Sequence, residues 1–113
     1  IYSKKLLRQK KITHGFFNIN VVRYKCIYKS LNKNKISKIS KDIFLVQQTH
    51  SNKFIFINKN FRFNKRKIKA DAIITNQERL PIAVLTADCV PILLYDNKKN
   101  MIAAIHAGWK GAF

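Results

Sequence analysis

The stretch TADCVPILLYDNKKNMIAAIHAGWKGAF, residues 86–113, differs from the Lys- and Asn-rich chain before it. Residues 1–70 carry 19 Lys or Arg against the single acid Asp42, whereas residues 71–113 carry four charges of each sign. Cys89 stands near one end of this apolar stretch and His106 near the other. DNKKN between two apolar runs is a turn signal, so 90–96 and 100–106 read as a β-hairpin. With the turn centred between Asn97 and Lys98, paired residue numbers sum to 195 and Cys89 faces His106. Directly opposed residues have Cβ atoms about 4.5–5.5 Å apart. That separation suits two ligands of one tetrahedral ion, with Zn–S about 2.3 Å and Zn–N about 2.0 Å. A slip of one residue would send the two side chains to opposite faces.

A catalytic zinc usually has three protein ligands and one open position. On spacing, the third ligand is His50, which ends the run IFLVQQTH (43–50), or else His14. An isolated cysteine is also a common small core hydrophobe, and a lone histidine a common hydrogen-bonded polar residue. Spacing leaves both readings open.

At 113 residues, with 47% apolar, the chain suits one domain with a modest core and not a disordered segment. No apolar run approaches the ~20 residues of a membrane span, and no signal-peptide pattern is present. Cys26 and Cys89 show no paired spacing, which points to a reducing compartment and a cytoplasmic protein, with Cys26 inert. The net charge of +18 raises the possibility of a nucleic-acid partner. Ile, Lys and Asn, all encoded by AT-rich codons, make up 45 of the 113 residues, so codon bias accounts for the basicity without one. The competing observation is KFIFINKNFRFNKRKIK (53–69), which interleaves aromatics with cations as single-strand binders do. It matches no RNA-binding signature, and a membrane partner is not expected either.

Along the chain, 1–11 reads as a basic lead-in and 12–113 as the domain. β-branched and aromatic runs predict strands over 12–17, 20–28, 43–50, 53–58, 70–76, 81–88, 90–96 and 100–106. The polar segment 29–42 reads as a loop, and AGWKGAF (107–113) as a glycine-marked turn opening a helix.

ADAIITN (70–76), PIAVLTADCVPILLYD (81–96) and MIAAIHAGWKG (101–111) together resemble the signature of the YfiH/laccase-domain family. THGFF (13–17), YKSLN (28–32) and QQTHS (47–51) are similar to its earlier motifs, in the same order. The resemblance implies an α+β fold, a mixed β-sheet core with flanking helices. It implies zinc held by His50, Cys89 and His106, and a purine nucleoside phosphorylase with adenosine deaminase activity, acting on adenosine, inosine or methylthioadenosine with phosphate. An older assignment in the family is a copper polyphenol oxidase, but three ligands do not make a multicopper cluster.

Under this resemblance Asp88 is the candidate proton carrier or orienter of a ligand, with a turn-capping acid as the plainer alternative. His14 lines the pocket or serves the THGFF turn. Lys110, near an expected helix start, favours phosphate, or is a solvated surface lysine. It stands where the family usually has Arg, so a point charge replaces a planar bidentate donor. Trp109 reads as packing more than as a stacking platform.

Lys25 and Cys26 occupy positions where the family has glycine, and the segment between YKSLN and QQTHS is shorter than the family's. The family continues well past HAGW, whereas this chain opens on Ile1 and stops at Phe113. The expectation is an amino-terminal piece whose hairpin exposes apolar surface and whose activity needs a carboxyl-terminal half, or else an inactive remnant.

Overall fold

The computed structural model of the chain describes residues 3–16, 43–63 and 68–110. The chain divides into two compact units, Ile1–Ile39 and Ser40–Phe113. In the first, one helical turn, α1 (Lys4–Leu7), is capped by Ser3, whose hydroxyl accepts from the Leu6 N–H at 3.4 Å. Residues 12–16 form no strand, contrary to the sequence expectation. The expected strand 20–28, the loop 29–42, Cys26 and the end of AGWKGAF lie outside the described residues. Of the flanking helices expected, the described residues hold α1 alone, and none of their helices is long and apolar enough to cross a membrane.

The second unit is built on a mixed four-stranded sheet of β1 (Phe54–Ile57), β2 (Ala72–Thr75), β3 (Val90–Asp96) and β4 (Met101–Ala107), in the order β1-β2-β4-β3. β1 and β2 run parallel, and the other two pairings are antiparallel. Residues 43–50 and 81–88, expected as strands, are extended segments held by isolated bridges, Phe44 to Ile82 and Gln47 to Lys69. Both runs have strand-like composition, but among the described residues they meet each other only at the Phe44–Ile82 bridge and form no continuous ladder.

The hairpin register differs from the expected one. Val90 pairs with Ala107 and Leu94 with Ala103, so paired numbers sum to 197. The cause is a four-residue turn, 97–100, in place of a two-residue one. The Asp96 carboxylate accepts the backbone N–H groups of Lys98 and Lys99 at 2.8 and 3.0 Å, and Asn100 takes a left-handed φ of 50°. Asparagine tolerates that conformation. Because the shift in sum is even, every side chain keeps its face.

The register stacks side chains in rows across the sheet. Ile55, Ile73, Ala104 and Leu93 form one row on the inner face. That face packs on a core of Val46, Ile57, Ala70 and Ile73, flanked by Phe44, Phe61, Leu80 and Ile82. Thr75, buried among them, donates its hydroxyl to the Ile57 carbonyl at 2.8 Å. The outer face carries Phe54, Phe56, Val90, Ile92 and Leu94, all exposed. Extending the β2–β4 register one step sets Asp71 opposite His106 on the inner face, and the His106 N–H donates to the Asp71 carbonyl at 2.8 Å.

Ile73 is fully buried in the middle of this core. Ile73→Ala is expected to cost about 2–5 kcal/mol, read as a lower urea midpoint with an unchanged slope. Phe54→Ala on the exposed face should cost well under that range.

Candidate metal centre

The end of the segment 43–50, the residue before β3 and the end of β4 bring three ligand candidates together. One ligand atom each from His50, Cys89 and His106 lies within 4.8 Å of the others, the one such group of three or more among the described residues. The His50 and His106 rings meet edge to face, with centroids 4.8 Å apart at 80°. Cys89 is a free thiol. In the observed register Cys89 lies opposite Gly108 and diagonal to His106, rather than directly facing it. The pair shares a face as expected, by a different geometry.

Asp71 organises the centre. It is 2% exposed, and its two oxygens take at least two donors each. Oδ1 accepts from the His50 N–H at 3.0 Å and lies 2.9 Å from His106 Nδ1. Oδ2 accepts from the Ser51 N–H at 2.8 Å, the Ser51 hydroxyl at 2.7 Å and the Thr49 N–H at 3.2 Å. Burial alone would raise its carboxyl, but the hydrogen bonds from Ser51, His106 and Thr49 outweigh it, leaving the group well below the usual carboxylate range. An ionised carboxylate only accepts, so Nδ1 of His106 is the donor in that contact.

His50 sits at a left-handed φ of 54°, which costs a non-glycine residue about 1–3 kcal/mol and persists only where its surroundings hold it there. The three consecutive N–H groups of 49–51, all directed at Asp71, hold it. Gln48 joins the remaining ligand: its side-chain amide donates to the Leu85 carbonyl at 2.6 Å and accepts the Leu85 N–H at 2.8 Å. That double bond ties the His50 segment to the one leading into Cys89. Gly108 supplies clearance. A Cβ there would stand 2.9 Å from Cδ2 of His50 and 3.6 Å from the Cys89 sulfur. Its φ is not left-handed, so space and not backbone freedom is the requirement.

One thiol and two imidazoles with an open side suit a zinc or copper ion. Tetrahedral zinc needs donors about 3.3–3.6 Å apart, closer than the 4.8 Å within which the three atoms lie here.

The other expected residues stand differently. Asp88 is exposed in the bend just before Cys89. Lys110 is exposed, its ammonium 5.2 Å from the centroid of the Trp109 ring. Trp109 is 70% exposed, which corrects the packing role expected of it. His14 belongs to the first unit, where its Nε2 accepts the Ser3 N–H at 2.9 Å. Sequence reading passed over Asp71, Gln48, Ser51 and Gly108. The available signal was Asp71 itself, one of five acids in the chain, set between two alanines at the head of an apolar strand.

The chain belongs to the family described as multi-copper polyphenol oxidoreductase laccase, whose family model matches residues 28–113. It is 45% identical over 71 residues to a purine nucleoside phosphorylase of Clostridium acetobutylicum, covering 63% of this chain and 28% of that one. A purine nucleoside phosphorylase of Rickettsia conorii is 33% identical over 111 residues, covering 90% of this chain and 45% of its own length. The adenosine deaminase RL5, from an unknown prokaryotic organism, is 37% identical over 76 residues, 62% of this chain and 29% of that protein. The crystal structure of the Bacillus licheniformis hypothetical protein YfiH superposes with a TM-score of 0.56 at 28% identity, covering 83% of this chain and 39% of that one. The chain thus spans less than half the length of these relatives.

Two expectations follow from the geometry. Gly108→Ala pushes the His50 ring off its position, so zinc affinity should fall by about tenfold in an equilibrium titration while the protein stays folded. The second concerns acid. Asp71 is held below its ordinary value, so its contribution is fully present above a pH of about 3.9 and is lost as pH falls from there through the folded-state value. Urea midpoints followed downward from about pH 6 should drop steeply below about pH 4. Asp71→Asn should be less stable at neutral pH and show a shallower drop.

Proposed function

We propose that this chain carries the metal-binding part of a zinc-dependent purine nucleoside phosphorylase, acting on adenosine, inosine or methylthioadenosine, with adenosine deaminase as a second activity. The observation that carries the reading is the convergence of His50, Cys89 and His106 in a chain whose relatives are named for these two reactions. His50, Cys89 and His106 would hold the zinc, which would supply a Lewis acid when bound.

The chain's own residues do the rest. Cys89 binds as the thiolate and the two imidazoles through their lone pairs. In phosphorolysis a phosphate oxygen bonds to the ribose C1′ as the bond to the purine nitrogen breaks, and the departing base takes the electron pair and a proton. Asp88, exposed one residue before Cys89, is the proposed proton carrier. Lys110 offers the phosphate a mobile ammonium. In deamination, water replaces the amino group at C6 and ammonia leaves. Copper is the alternative metal, favoured by the family's description, but three donors make one mononuclear centre. The free thiol of Cys89 suits the reducing cytoplasm. A nucleic-acid-binding role would rest on the basic composition and on the aromatic–cation run 53–69.

Purified protein is expected to hold about one zinc per chain, lost in Cys89→Ala. Release of hypoxanthine from inosine should require phosphate, fall with the metal, and rise when the carboxyl-terminal half of a relative is supplied. Equal zinc in wild type and Cys89→Ala would overturn the site. Hypoxanthine release that ignores phosphate would overturn phosphorolysis.

A further inference from the structure

The two histidines of the centre lie 56 positions apart in the chain, yet a single oxygen atom touches both. Oδ1 of Asp71 is 3.0 Å from the His50 backbone nitrogen and 2.9 Å from His106 Nδ1. We propose that Asp71 is the positioning residue of the metal centre: it sets the ring tautomer and orientation of His106 and the backbone conformation of His50 together. This inference rests on the metal reading above and assigns a role to a residue that is not itself a ligand.

The chemistry follows from the donors. Around the carboxylate stand backbone N–H groups from Thr49, His50 and Ser51, the Ser51 hydroxyl and the His106 ring. Every one of these contacts needs an acceptor, and a carboxylate is the side chain that presents acceptors on both atoms. An amide of the same shape must turn its NH2 one way or the other. Turned toward Oδ2, it meets the Ser51 and Thr49 N–H groups and releases the loop that holds His50. Turned toward Oδ1, it donates to Nδ1 of His106, drives the ring proton to Nε2 and removes the lone pair that a metal needs. Either orientation disables one histidine, so the two ligands depend on one residue. Hydrogen-bonded partners of this kind typically change metal affinity by about 10–100-fold.

The test uses the 113-residue chain and Co(II), which reports thiolate and imidazole ligation by absorption. Wild type should bind Co(II) with a thiolate charge-transfer band. Asp71→Asn should keep that band, because Cys89 is untouched, but bind about 10–100-fold more weakly with shifted ligand-field bands. In metal-free wild type, nitrogen NMR of the imidazoles should find the His106 proton on Nδ1. This measurement decides the matter if Asp71→Asn fails to fold. Wild-type affinity with an unchanged spectrum in Asp71→Asn, or a His106 proton on Nε2, overturns the role of Asp71 while leaving the metal centre standing. Absence of Co(II) binding by wild type overturns the metal reading and this role with it.

Discussion

The carboxylate of Asp71 is buried, and a buried carboxylate is tolerated only where donors replace the water it has lost. Here they come from two directions, the loop 49–51 and the His106 ring on β4. Removing either set would leave a charge in the core edge, at a cost of several kcal/mol. Among the described residues the segment 43–50 has no ladder to hold it and only isolated bridges. Its far end is therefore positioned by Asp71, while its middle is positioned by Val46 in the core. The left-handed backbone of His50 persists for the same reason.

The site lies on the inner face of the sheet, in the row just beyond the apolar ones. Ile73 and Ala104 pack inward, and two residues along the same strands Asp71 and His106 occupy the corresponding positions. Side-chain alternation thus converts a packing face into a polar edge without changing strand or register. Gly108 continues β4 past the histidine and keeps the space that His50 needs. The opposite face keeps its exposed phenylalanines, leucine and isoleucine, so the two sides of one small sheet carry different chemistry.

Much of this was legible in residue order. The apolar runs on each side of DNKKN make a hairpin in any register, because both are too β-prone and too well separated by turn residues to do otherwise. Cys89 and His106 share a face in the observed sum of 197 as in the expected 195, since parity and not the precise pairing decides the face. The turn length escaped the reading because it is set by the Asp96 bonds and the left-handed Asn100, a local competition that composition does not resolve. The runs 43–50 and 81–88 were read as strands because propensity describes a surface awaiting a partner, and here the partners were not aligned for a ladder.

Residue order set which donor types were on hand for a metal: one thiol and one imidazole at the ends of a hairpin, with two further histidines elsewhere. Tertiary structure brought His50 to the hairpin pair, because Gln48 and Asp71 draw that segment to the hairpin's open end. It also made Asp71 part of the site, through a pairing of β2 with β4 between residues 35 apart in the chain. A chain's residue pattern records which face each side chain takes. It does not record which strand lies alongside, because that choice is made by the core packing of all the strands at once.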